Sequence, residues 1–224
     1  MDQWSEVDKY FEQRLGAGDD VLDAALADST AAGLPPINVT PLQGKFLALL
    51  AQVCGARRIL EIGTLGGYSA IWMGRALPPD GTLVTLEISK SHAAVAQRNI
   101  ERADLADRVH VVVGRASDSL QNMIADKVEP FDLVFIDADK ESSLEYFEAS
   151  LALSHVGTII VVDNVVRKGA IIDHPSTDSM VLGVQRLADH LPRERRVSAT
   201  AIQTVGGKGY DGFIMAVVTE QSAR

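Results

Sequence analysis

The chain has 224 residues, 46% hydrophobic and 23% charged, and carries a net charge of −9 from 21 Lys+Arg against 30 Asp+Glu. That balance specifies an ordinary globular domain long enough for a full core, and its acidic excess disfavours a partner made of many phosphates, such as nucleic acid. The single cysteine, Cys54, excludes an internal disulfide or a cysteine-based zinc site and suits a reducing, cytoplasmic setting. The start is polar and acidic, and no apolar run nears the ~20 residues of a membrane span, so neither a secretory signal nor a membrane role is expected.

In chain order, residues 3–15 and 19–32 predict two helices ending at glycine-rich breaks, an N-terminal appendage over 1–36 ahead of the main domain at 37–220. Thr40-Pro41 then reads as an N-cap with proline in the first helical turn. Leu42, Phe46, Leu49, Leu50 and Val53 follow at helical spacing, a stripe expected to pack on a sheet. Five short apolar runs come next: Arg58–Ile62, Leu83–Glu87, Val109–Val113, Phe131–Ile136 and Thr158–Val162. Their continuous hydrophobicity and one-helix spacing predict parallel strands covered on both faces, hence a doubly wound α/β sheet. The last two predicted strands, Arg196–Ile202 and Gly212–Val218, are joined by the glycine-rich stretch 206–209, too short for a helical crossover, so this pair is expected to be antiparallel.

In an open parallel sheet ligands lie beyond the carboxyl ends of the strands, so the turn after the first strand is the first place to look. It reads Glu61-Ile62-Gly63-Thr64-Leu65-Gly66-Gly67-Tyr68-Ser69. Its glycines permit a tight turn, but their spacing is not the dinucleotide fingerprint, and Glu61 would repel a pyrophosphate while suiting a cationic ligand. Glu87 ends the second strand, where a ribose-binding carboxylate is expected. A nucleoside without phosphates fits both acids, and S-adenosylmethionine has that character.

The fourth strand ends in Asp137-Ala138-Asp139-Lys140 and the fifth in Asp163-Asn164. Asp137, Asp163 and Asn164 offer hard oxygen ligands without histidine or cysteine, a set that favours Mg²⁺, with Ca²⁺ or Mn²⁺ as alternatives, over zinc. A divalent cation beside a methyl donor makes sense if the acceptor is a hydroxyl, especially one of two adjacent phenolic hydroxyls, because coordination favours the deprotonated oxygen. Lys140 is then placed to take the proton.

These residues resemble the cation-dependent class I O-methyltransferases, which include catechol and caffeoyl-CoA O-methyltransferases. The resemblance runs from Val39-Thr40-Pro41-Leu42-Gln43-Gly44 through the Gly63 turn to Phe135-Ile136-Asp137-Ala138-Asp139-Lys140 and Val162-Asp163-Asn164. It implies a Rossmann-like, seven-stranded sheet with an antiparallel last strand, and a homodimer. It also implies that Asp137, Asp163 and Asn164 hold the metal, that Lys140 is the base, and that Val39, Glu61, Gly63, Gly67, Tyr68, Ser69, Glu87, Ala116 and Asp137 surround S-adenosylmethionine. Three departures stand out: Gly66 where relatives often carry threonine, Gly114-Arg115-Ala116-Ser117 where many have an acid beside the adenine, and a segment after Lys140 lacking a common aromatic.

The reading is methyl transfer to a small-molecule hydroxyl acceptor, catechol-type or phenolic. Alternatives are the same chemistry on a hydroxylated tRNA uridine or a natural-product hydroxyl, a nicotinamide-dependent oxidoreductase, and a non-catalytic S-adenosylmethionine-binding module. Arg167-Lys168 and the loop around Lys208 and Tyr210 are further candidates to border the acceptor, and His174 to touch it. Trp4, Tyr10 and Phe11 are candidates to cover the site or a partner subunit.

Overall fold

The computed structural model describes residues 3–220. Helices α1 (Gln3–Leu15), α2 (Asp20–Ala31) and α3 (Pro41–Val53) precede β1 (Arg58–Ile62). Then α4 (Tyr68–Ala76), β2 (Thr82–Glu87), α5 (Lys90–Arg102), β3 (Val109–Val113), α6 (Ala116–Ala125), β4 (Phe131–Ile136), α7 (Ser143–Ala152) and β5 (Ser154–Asp163) alternate. Helix α8 (Ser179–His190) leads to the hairpin β6 (Val197–Gly206) and β7 (Gly209–Val218). The seven strands lie in the order β3-β2-β1-β4-β5-β7-β6, parallel except for β7, which runs antiparallel to both neighbours. Strand order reverses between β1 and β4, so a crevice opens at their carboxyl ends.

Two apolar layers cover the sheet. Leu22, Leu47, Ile71, Met73 and Ile100, from α2 to α5, meet one face, and Leu120, Phe147, Val184 and Leu187, from α6 to α8, meet the other. This two-sided burial is why β1 reads as an unbroken apolar run with only Arg58 partly exposed.

Local signals set the helix starts. Asp19 accepts hydrogen bonds from the amides of Val21 and Leu22, and Thr40 from that of Gln43, so both helices begin where a side-chain oxygen satisfies otherwise unpaired donors.

Three expectations need correction. The α3 stripe does not pack on the sheet as a unit. Its buried face is Gly44, Leu47, Ala48 and Ala51, while Leu49 and Val53 are exposed and Phe46 meets the Phe213 ring 5.3 Å away. The small residues let α3 approach α4 closely, and a side chain at Gly44 would overlap the Trp72 indole. Second, β5 begins at Ser154, earlier than its apolar run. Third, the two final strands extend into the glycine-rich stretch and meet at a tight turn on Gly207-Lys208, so its two end residues, Gly206 and Gly209, are paired strand.

Candidate active site

A cavity of about 1100 Å³ opens at the reversal point, walled by the ends of β1, β2, β4 and β5 and by α2 with the loop that follows it. Gly63 makes the junction possible. Its φ of +101° suits glycine, and a Cβ there would strike the Asp137 carbonyl at the end of β4. The Asp137 amide in turn donates to the Ile62 carbonyl at 2.8 Å, locking the two strand ends together.

Val39, Gly63, Tyr68, Ser69, Glu87, Ala116, Asp137, Lys140 and Asn164 all line this cavity. Glu61, Gly67 and Asp163 stand behind the wall. Glu61 is fully buried, and both its oxygens accept hydroxyl hydrogen bonds, one from Ser69 and one, at 2.6 Å, from Thr85. Burial pushes its carboxyl up to about 8 against those bonds. Glu61 thus reaches the cavity through the Ser69 hydroxyl; β1 is central and covered, which keeps its side chain inside. Gly67 caps α4.

Glu87, 7% exposed, is held at the wall by the amides of Leu65 (2.8 Å) and Ser89 (2.9 Å). Each carboxylate oxygen keeps acceptor capacity for a hydroxyl in the cavity.

Across the crevice, Lys140 Nζ donates to Asp137 Oδ1 at 2.8 Å, and the lysine is only 6% exposed. Asp163 accepts at Oδ2 from Gln43 Nε2 (2.6 Å) and at Oδ1 from the Asn164 amide (2.9 Å). Burial and the neighbouring Asp137 charge push the Asp163 carboxyl up, with Lys140 opposing. At the hairpin tip, loss of solvent pulls the Lys208 ammonium down, opposed by the charges of Asp137 and Asp163.

No cluster of three or more His, Cys, Asp or Glu side chains suited to a metal exists among the described residues. Asp137, Asp163 and Asn164 are a different set, two carboxylates and an amide. Their chemistry nevertheless suits a hard cation: burial and the Asp137 charge disfavour ionisation of Asp163, a penalty that a divalent charge would reverse.

Several wall residues escaped sequence reading. Tyr146, on α7, donates to Asp139 Oδ1 at 2.6 Å and supplies an aromatic beside Lys140. It lies two residues after Leu144 and one before Phe147, off the three-residue spacing that links those two on α7. Leu26, Ser29 and Thr30 of α2 also form the wall, so the N-terminal helices take part in the site. Gly66 accommodates this, since a side chain there would collide with the Ser29 hydroxyl. Arg115 and Arg167 line the cavity too, whereas His174 instead sits beside the Gln185 amide at 3.4 Å.

An O-methyltransferase family profile matches residues 17–216. The chain is 50% identical over 215 residues to a catechol O-methyltransferase of Niastella koreensis, covering 96% of this chain and 97% of that protein. Among solved structures, an O-methyltransferase from Bacillus cereus in complex with SAH superposes with a TM-score of 0.95 at 56% identity, covering 96% of this chain and 98% of the other. TomG of Streptomyces achromogenes, an O-methyltransferase in complex with SAM, gives 0.95 at 47% identity over 98% and 100% of the two chains. Fold, crevice and sequence converge, and the chain belongs to the O-methyltransferase family.

Proposed function

We propose that this protein transfers the methyl group of S-adenosylmethionine to one of two neighbouring hydroxyls of a catechol-type small molecule, with a divalent cation, Mg²⁺ foremost, held by Asp137, Asp163 and Asn164. The observation that carries this reading is the meeting of the Lys140–Asp137 pair with Asn164 and Glu87 in one cavity at the strand-order reversal. The relatives named for catechol methylation and the neighbours bound to SAM or SAH support the same assignment.

Glu87 would accept hydrogen bonds from ribose hydroxyls, as its position at the end of β2 favours. Gly63 lets the backbone approach the donor's amino-acid end, and Ser69 links that end to Glu61. When bound, the cation would lower the pKa of the acceptor hydroxyl. Lys140 Nζ is the group proposed to take the hydroxyl proton; the oxygen attacks the methyl carbon in line with the sulfonium, and the sulfur leaves with the C–S bonding pair. Positioning of the two reactants supplies much of the rate, since oriented neighbours reach effective molarities of ~10⁵–10⁸ M.

The assembly proposed is a homodimer. Trp4 and Phe11 of α1, Leu49 and Val53 of α3 and Ile202 of β6 are large apolar side chains left exposed, on helices and a strand that pack against one another.

The test is methyl transfer to catechol with and without a chelator. Activity is expected to vanish in EDTA and return with Mg²⁺, and Asp163→Ala to abolish it. Lys140→Met is expected to slow turnover at least ~100-fold, the scale of general base catalysis, with calorimetric affinity for S-adenosylmethionine retained. Full turnover in chelator would overturn the metal assignment.

A further inference from the structure

Arg167 follows the proposed metal ligand Asn164 by three residues and lines the same cavity. Its guanidinium has no acidic partner among the described residues. Nε is buried without a hydrogen bond, and the contact recorded for Nη2 is the Met180 sulfur at 3.5 Å, a weak acceptor. A buried, unanswered guanidinium N–H is costly, and proteins ordinarily pair it.

The backbone beneath it is built to hold that position. Arg167 and Lys168 have φ of +55° and +56°, and Gly169 follows at +93°, so two side-chain-bearing residues sit in the left-handed region. Asp211 on β7 maintains this: its Oδ1 accepts from the amides of Val166, Arg167 and Gly212, each at 3.0 Å. Strain retained by a dedicated carboxylate at a cavity mouth is the kind found where a side chain must be aimed.

Several neighbouring charges on this wall are already answered. Lys140 is paired with Asp137, Asp139 accepts from Tyr146 and the Ser142 amide, and Glu141 accepts from the Ser179 hydroxyl. Arg115, at the start of α6, also lines the cavity without an acidic partner among the described residues, and Arg167 is the one of the two that stands three residues from a proposed metal ligand.

We infer that Arg167 is a specificity-determining residue that binds a carboxylate carried by the acceptor, so that the preferred substrates are catechols bearing an anionic substituent on the ring or a short side chain. The inference rests on the methyl-transfer reading above. A planar guanidinium matches a carboxylate with two parallel N–H···O bonds, a fit that an ammonium or a neutral amide does not reproduce. Met180 lies against the same guanidinium and adds an apolar contact beside it.

The test compares 3,4-dihydroxybenzoate and 3,4-dihydroxyphenylacetate with their methyl esters, which keep the diol and remove the charge. Two readouts are taken: kcat/KM for methyl transfer, and calorimetric affinity in the presence of S-adenosylhomocysteine and Mg²⁺. The wild type is expected to favour at least one acid over its ester by ~10-fold or more, the scale of a charge-assisted hydrogen bond. Arg167→Gln is expected to erase that preference in both readouts, and Arg167→Lys to restore part of it. Esters turned over as well as acids by the wild type, or a preference untouched in Arg167→Gln, would overturn the assignment while leaving methyl transfer intact. Failure of every diol to accept a methyl group would bring down the methyl-transfer reading, and this inference with it.

Discussion

At the residue scale, Glu61 shows how burial changes the meaning of a side chain. A carboxylate just ahead of a glycine turn reads from sequence as an electrostatic partner for a cationic ligand, yet the fold withdraws it behind Ser69 and holds its pKa near 8. The raised value makes the folded protein bind a proton that the unfolded chain releases above about 4.5. Its contribution to stability is therefore full below that pH and is lost as pH rises through about 8. Thermal melts of the ligand-free protein are expected to fall across this window, and Glu61→Gln to flatten the fall. An equally steep fall in the variant would show that the proton sits elsewhere. Sequence could name Glu61 but not its protonation, because that depends on the β2 hydroxyl of Thr85, 24 residues away.

At the scale of elements, α2 is part of the cavity wall, with Gly66 as the position that lets it dock. Its Asp28 pairs with Arg102 of α5 at 2.8 Å, and the Asn99 amide bridges the Ala25 and Gly66 carbonyls at 3.3 and 2.9 Å. Gly66→Thr is expected to push α2 outward. Because forcing a side chain into a packed contact costs about 1–3 kcal/mol, the variant should lose several degrees of melting temperature and bind S-adenosylmethionine more weakly. Unchanged calorimetric affinity would show that α2 does not contribute to the cofactor end. Strands were legible because continuous apolar runs report two-sided burial directly. Which face of α3 turns inward was not, because the choice lies with the small residues that admit Trp72, and the periodicity of large side chains points elsewhere. The roles of Tyr146 and Met180 were hidden for a related reason: neither stands at a strand end, and only the docking of α7 and α8 brings them to the cavity.

For the whole molecule, the order β3-β2-β1-β4-β5-β7-β6 brings together a cavity whose lining is spread from residue 26 to residue 180. The sequence made the ligand end of the sheet legible, since Glu87, Asp137, Lys140, Asp163 and Asn164 stand at or just beyond the ends of recognisable strands. The homodimer proposed for the outer apolar face rests on the resemblance and on the exposed side chains there. Val53, 83% exposed, and Leu49, 49% exposed, are out of place on a solvated helix. Sedimentation is expected to give twice the 24.1 kDa chain mass, and the double substitution Leu49→Glu with Val53→Glu to return a single-chain species. A wild-type protein that sediments as one chain would exclude the homodimer.

The close approach at Gly44 has an optical consequence. The Trp72 indole is 9% exposed with its N–H unpartnered, so its emission should lie toward the blue. The adjoining Gln43 amide holds Asp163, so two residues, Gly44 and Gln43, link a natural fluorophore to the carboxylate proposed to grip the cation. With Trp4 replaced by phenylalanine, the intensity of that lone chromophore becomes a titratable signal of ion loading that needs no methyl acceptor and no turnover.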